Sequence, residues 1–501
     1  MSDKLRISTA GVYINKKISI SDTVRIAENM ASISTVIFSK ITPSVSENSV
    51  RNKTFFYSGN CIGEVMYVSE NGGCDRISFS IPFEMTEPCE KDSGVFWGKC
   101  EVSDVEIIPI KGRRCDVSIT VTVSGQMLFD EEISTLPDYG YNIPIFKDEQ
   151  YKELSGISVV RSAAAYEYSH SSGFSEGVKI IYASADVCDV KANHSPAGVL
   201  VNGFIKKCIL YSHLNDDDTY SYHVIDENVA FSNFCEVPYS VKFNDYSAEC
   251  KVSMADAYTQ PDSDDTEIHM DVKLDIGIRL INNIRVGSIR DIFSPEMNIS
   301  CEYVSKKCIK IEKVLQKEII FKDISDIKYG SIASMAVAAM ENVKITEVRD
   351  NKGRDMEINL NAGCILLFGD DNEPSVFSCD MKERLGAGSV MKEGGEYFCE
   401  YTIIDTVRNV TSSAMETVCK VLVELYEMNE VSIIEVSDIS VSEYETENND
   451  YIKVNIYYQT EGMSVFEIAK KSRKSPEEIS MLTLGHEDAS DFTPIIIWEQ
   501  A

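Results

Sequence analysis

Histidine and tryptophan are scarce in this 501-residue chain, which has 6 of one and 2 of the other. No His-Glu-x-x-His pair is present to seat a catalytic zinc, and no phosphate-binding loop or dinucleotide fingerprint appears, so no cofactor is expected. Basic residues are outnumbered, 48 against 80 acidic, for a net charge of −32. Phosphate backbones and anionic lipids repel a surface of that sign, so no nucleic-acid partner is expected and anionic membranes are disfavoured. No stretch approaches the roughly 18 apolar residues of a membrane span, so none is expected. The opening Met1–Arg6 lacks the apolar core of a secretory signal. The 15 cysteines include no Cys-x-x-Cys pair and read as reduced, mostly buried thiols in the cytosol. On that reading the sequons at Asn52, Asn298 and Asn409 carry no glycan.

Apolar residues make up 44 % of the chain, enough for packed cores, and the length suggests three or four domains at roughly 150 residues each. The acidic excess has two readings: solubility of a multidomain protein, or a docking surface for a basic partner.

Internal repetition organises the chain. Three landmarks recur in the same order. Phe55–Gly59 leads to Gly63–Tyr67, and Val199–Gly203 leads to Lys207–Tyr211, with the glycine eight residues before the tyrosine both times. A third copy runs from Ile358–Leu360 to Leu366–Phe368, with leucine at the glycine position. Clusters of Gly, Asn and Asp follow each aromatic and reverse the chain. Next come Ile81-Pro82-Phe83 and Val229-Ala230-Phe231, closing the hairpin, with no clear third equivalent. Cys100, Cys250 and Cys399 then recur at a spacing of about 150 residues. A long strand follows each cysteine. The clearest runs from Ile268 to Leu280 with every second residue apolar, the pattern of a half-buried antiparallel strand. Short helices are expected only at 21–33 and Ser331–Asn342. The fold class is therefore mainly β (α+β overall): three antiparallel β-sandwich-like domains at 1–140, 141–290 and 291–445, then a small module at 446–501.

That module has its own pattern. Ile452–Tyr457 alternates as a strand after the polar linker Glu443–Asp450. Ser464 and Glu467 form a capping box, and Ile468 lies on the apolar face of the helix they open. Lys470, Lys471, Arg473 and Lys474 crowd its end, either complementing the helix dipole or forming a basic contact point. Ser475 and Pro476 open a second helix carrying Ile479, and Pro494–Trp498 closes as a strand. The order is βααβ. Elsewhere, Gly173–Gly177 matches the G-x-S-x-G elbow of a serine hydrolase, but a strand rather than a helix follows it. It reads as a surface loop. Asp216–Asp218 and Asp262–Asp265 lack the spacing of a calcium loop and read as solvated turns. His269, on the polar face of its strand, is expected to be solvated. No enzyme is expected.

Gly462–Lys470 resembles the opening of a LysM domain, and Ser475–Ile479 fits its second helix. The three upstream units resemble SPOCS domains. Three such units ending in LysM resemble the SipL-type spore-coat morphogenetic proteins of clostridia, and the two likenesses cover nearly the whole chain. The resemblance implies a non-enzymatic adaptor in the mother-cell cytoplasm, at the forespore surface, whose LysM-like module docks the coat's basement-layer morphogenetic ATPase. Candidate partner-binding residues are Gly462, Ser464, Phe466, Ile468, Lys470, Lys471, Ile479 and Trp498. The rival expectation is a peptidoglycan- or glycan-binding envelope protein. Met463, Thr483 and Phe492–Pro494 depart from the usual LysM aspartate, asparagine and glycine turn, which weakens that rival.

Overall fold

The computed structural model describes residues 4–28, 30–70, 73–111, 113–134, 143–216, 220–261, 265–326, 332–350, 353–368, 373–411, 414–444, 453–458, 464–483 and 494–499. Parts of the expected turns (71–72, 217–219, 262–264, 369–372) and most of the linker (445–450) lie outside these residues.

Each of three successive units has six strands in two three-stranded antiparallel sheets. The first contains β1 (Lys4–Arg25), β2 (Ile33–Arg51), β3 (Thr54–Ser69), β4 (Cys74–Pro88), β5 (Val95–Ile110) and β6 (Arg114–Ser134), ordered β1-β6-β5 and β2-β3-β4. The second repeats the topology with β7 (Phe146–Ser171), β8 (Val178–Ser195), β9 (Gly198–Leu214), β10 (Tyr220–Glu236), β11 (Asp245–Pro261) and β12 (Thr266–Phe293). The third repeats it with β13 (Asn298–Asp326), β14 (Ile332–Asp350), β15 (Gly353–Phe368), β16 (Glu373–Arg384), β17 (Glu396–Val410) and β18 (Ala414–Ser442). Within each unit an apolar core separates the sheets, with Phe55 and Val121 in the first, Val201 and Leu274 in the second, and Leu360 and Val421 in the third. The alternation along β12 is realised in full, since every second residue from Ile268 to Leu280 is at most 1 % exposed.

Neither expected helix of the repeats forms among the described residues. β1 runs on to Arg25 because it pairs with β6 as far as Arg114, and a turn follows. Ile332–Asp350 is β14, paired with β15 from Ile332↔Phe368 to Asp350↔Gly353. The Ala- and Met-rich composition favours helix locally, but a long partner strand overrides so weak a preference.

The landmarks have physical causes. Gly59 stands opposite Phe83, and Gly203 opposite Phe231. A Cβ at Gly59 would lie 2.1 Å from the Ser44 carbonyl oxygen and 2.9 Å from the Phe83 ring; one at Gly203 would lie 2.8 Å from the Phe231 ring. In the third unit Leu360 stands opposite Met381, so the small–large pair is exchanged for two residues of middling size. Met381 is thus the equivalent that sequence reading did not find. A β-bulge follows the cysteine landmark in each unit, at Val102/Asp104, Val252/Met254 and Ile403/Asp405. Counted from the bulge, Cys100 and Cys250 are equivalent, opposite Val123 and Ile276, but the third occupant is Tyr401, opposite Val423. Cys399 marks the right strand two residues out of register.

The units close into a ring. β1, β7 and β13 pack against one another, while β4 meets β8, β10 meets β14, and β16 returns to β2. Equivalent side chains gather in layers on the resulting pseudo-threefold axis. Ile7, Leu154 and Cys308 form one layer and Ile133, Val286 and Ile433 another. Leu128, Ile281 and Met428 form a third. Hydroxyls stitch two of the seams: the Ile157 N–H donates to Ser8 Oγ and the Ile311 N–H to Ser155 Oγ, each at 2.9 Å.

The C-terminal module contains β19 (Lys453–Tyr458), α1 (Val465–Ser472), α2 (Pro476–Thr483) and β20 (Pro494–Glu499), with β19 antiparallel to β20. Among the described residues no helix is long and apolar enough to cross a membrane.

Candidate functional site

Two places concentrate chemistry, the C-terminal module and a cavity between the three units. The capping box of the module is complete. The Glu467 N–H donates to Ser464 Oγ at 3.2 Å, and the Ser464 N–H donates to the Glu467 carboxylate at 2.9 Å. The Glu478 N–H likewise donates to Ser475 Oγ at 3.1 Å. These caps satisfy amides that each helix would otherwise leave open.

The faces thus oriented turn inward. Ile468, Ala469 and Ile479 are fully buried and pack on Phe293, at the end of β12. The Phe466 ring meets Phe293 edge-on at 5.1 Å, and Phe146 lies 5.5 Å from Phe293. Lys470 Nζ lies 2.7 and 2.6 Å from the two Asp291 carboxylate oxygens. Arg473, at φ +50° in the left-handed cap of α1, sets its guanidinium 3.8 Å from the centre of the Tyr444 ring, and the Tyr444 hydroxyl donates to the Ser294 carbonyl at 2.7 Å.

Of the eight residues singled out in the sequence, Phe466, Ile468, Lys470 and Ile479 therefore converge where the second unit passes to the third. Ser464 caps the helix, and Lys471 faces solvent. Trp498 lies in β20 opposite Val454, with its side chain outside the description, and Gly462 lies outside the described residues. The basic cluster does make a contact, but Lys470 makes it with its own chain.

The cavity was not legible in the sequence. It has a volume of about 1330 Å3 and lies between the polar edges of β5, β11 and β17. One cluster there ties all three units together. Arg279 of the second unit pairs with Glu249 at 3.1 Å and with Glu400 of the third unit. Trp97 of the first unit donates its indole N–H to Glu400 at 3.1 Å, and Arg279 lies over its ring at 5.6 Å. Lys251 completes the cluster, 2.5 Å from Glu249. Burial alone would raise the Glu249 pKa, but Lys251 and Arg279 together hold it down at about 2. Burial, with the neighbouring Glu249 charge, raises Glu400 above the ordinary carboxylate range despite Arg279. Charges so mutually engaged suit a structural knot better than a reactive centre. The signal in the sequence was Trp97, the lone tryptophan of the repeats.

The remaining candidates resolve simply. Gly173–Gly177 joins strand β7 to strand β8, so Ser175 has no helix behind it. His269 is not solvated as expected: it stacks on Tyr258 at 5.3 Å and lies 3.0 Å from Glu267. Among the described residues no three His, Cys, Asp or Glu side chains are grouped to hold a metal ion. Compared with known protein families, curated proteins and solved structures, the chain finds no match in any of the three.

Proposed function

We propose that this chain is a non-enzymatic structural adaptor in spore-coat assembly. In this reading the ring of sandwiches is a rigid body at the forespore surface, in the mother-cell cytoplasm, and residues 446–501 dock the coat's basement-layer morphogenetic ATPase. The observation that carries it is the division of the molecule. Three units spend their apolar side chains on cores and on a common axis, while a separate βααβ module with a basic helix end hangs from one side. The order of units, three of one kind and then one of another, supports the same reading. Cells producing the chain without residues 446–501, fused to a fluorescent protein, should fail to recruit it to the forespore while the ring stays folded. Normal localisation of the truncated chain would sink the docking role. Co-sedimentation of the intact protein with purified peptidoglycan would favour a glycan-binding role instead.

A further inference from the structure

We infer that Phe146, Asp291, Phe293 and Tyr444 form an intramolecular receptor for the basic first helix of the C-terminal module, and that a protein partner reading Phe466 and Lys470 must displace the helix from it. The inference rests on the docking role proposed for residues 446–501. It deepens that role by naming what the partner has to offer.

The geometry defines the receptor's chemistry: a carboxylate beside aromatic rings. Asp291 supplies both oxygens to Lys470, Phe293 takes the edge of Phe466, and Tyr444 carries the Arg473 guanidinium. The helix therefore presents cation, aromatic ring and cation along one side, and its own scaffold holds that side. A partner that replaces the scaffold presents the same combination, an acidic side chain flanked by aromatics. Exposed groups elsewhere on the module differ, with Lys471 on α1 and Glu477 and Met481 on α2, the last 74 % exposed. A partner reading those groups would bind without competition.

The contact is built to open. The Lys470 and Asp291 side chains are 45 % and 36 % exposed, so their ion pair is weak and salt-sensitive. What keeps the helix seated is the apolar patch around Phe293, where Ile468, Ala469 and Ile479 are fully buried. Because the helix and its receptor belong to one chain, the contact is intramolecular and its effective concentration is high. An external partner must outcompete that concentration, so the seated module is a restrained one.

The test uses the full-length protein. Amide hydrogen exchange across α1 should rise about tenfold in D291K, and the charge-swapped D291K/K470D protein should return towards the wild-type rate. Asp291 also accepts a hydrogen bond from the Tyr303 hydroxyl at 3.4 Å. Exchange in β12 and β13 therefore serves as the control for wider damage, and F293S as the second variant. Exchange in α1 that is unchanged in both D291K and F293S overturns the receptor. In sporulating cells D291K should enhance recruitment. Release of the helix with recruitment unchanged or reduced overturns the competition. Normal recruitment of the chain lacking 446–501 removes the docking role, and the competition with it, yet leaves the exchange result standing.

Discussion

Two carboxylates in this protein respond to pH in opposite directions. Burial pushes Glu64 up to about 7, with Arg76 at 3.8 Å only partly offsetting it. In the unfolded chain the group titrates near 4.5. The folded state keeps a proton that the unfolded chain releases between those values, so the stabilisation is full below about pH 4.5 and is lost as pH rises through 7. Glu249, held at about 2, contributes above its unfolded value of 4.5 and loses that contribution as pH falls towards 2. Glu64→Gln should leave the urea midpoint at pH 5 nearly unchanged and raise it above wild type at pH 8. The Arg279 knot makes a different demand. Arg279→Ala leaves the partly buried Glu400 without its cation, and losing a hydrogen bond between charged groups of this kind costs about 2 kcal/mol. Urea unfolding should show that loss, with Lys251 still engaging Glu249. Neither effect could be read from sequence, because Arg279 sits in a run whose alternation marks it only as outward-facing. Which unit it reaches depends on ring closure.

The strand pairs show how the repeat was drafted. Gly203 opposite Phe231 and Leu360 opposite Met381 are two solutions to one packing problem. Gly203→Leu alone should destabilise the second unit severely, because the new Cβ would lie 2.8 Å from the Phe231 ring. Adding Phe231→Met should recover at least about 1 kcal/mol, a coupling that a double-mutant cycle on urea midpoints would measure. Strands were legible where alternation was clean, as along β12, and turns where Gly, Asn and Asp cluster. The β14 strand was not, since Ser331–Asn342 contains the residues that favour helix and nothing within it announces β15 as a partner. The third cysteine was misleading for a related reason. Spacing in sequence counts residues, whereas register is counted from the bulge, which sits two residues further along in β17 relative to its cysteine. In the C-terminal module the caps were legible because they are local. That its candidate contact residues face Asp291 and Phe293 was not, because those partners lie some 170 residues upstream in another unit.

At the scale of the molecule, three sandwiches that look like beads on a string share one axis. Ile133, Val286 and Ile433, one from each unit, are buried in a single shared cluster. A single unit cut out at 143–294 would expose its share of that axis, together with Leu154 and Ile281. It should therefore not behave as a folded monomer. Light scattering coupled to size-exclusion chromatography should find a trimer or an aggregate. A stable, cooperatively unfolding monomer would contradict the closed ring.

Two of the three seams in the ring are spanned by the polypeptide, between β6 and β7 and between β12 and β13; the one between the third unit and the first is not, and there Lys306 Nζ reaches across to the Glu132 carbonyl at 3.1 Å. Trp97 sits on that seam, against Phe398 and Tyr426 at 6.0 and 5.6 Å and hydrogen-bonded to Glu400. The molecule thus has a gap like that of a split washer, and its indole is a built-in gauge of whether the gap is shut. With Trp498 replaced by phenylalanine, the intrinsic fluorescence of the protein would report the parting of those faces before any strand had unravelled.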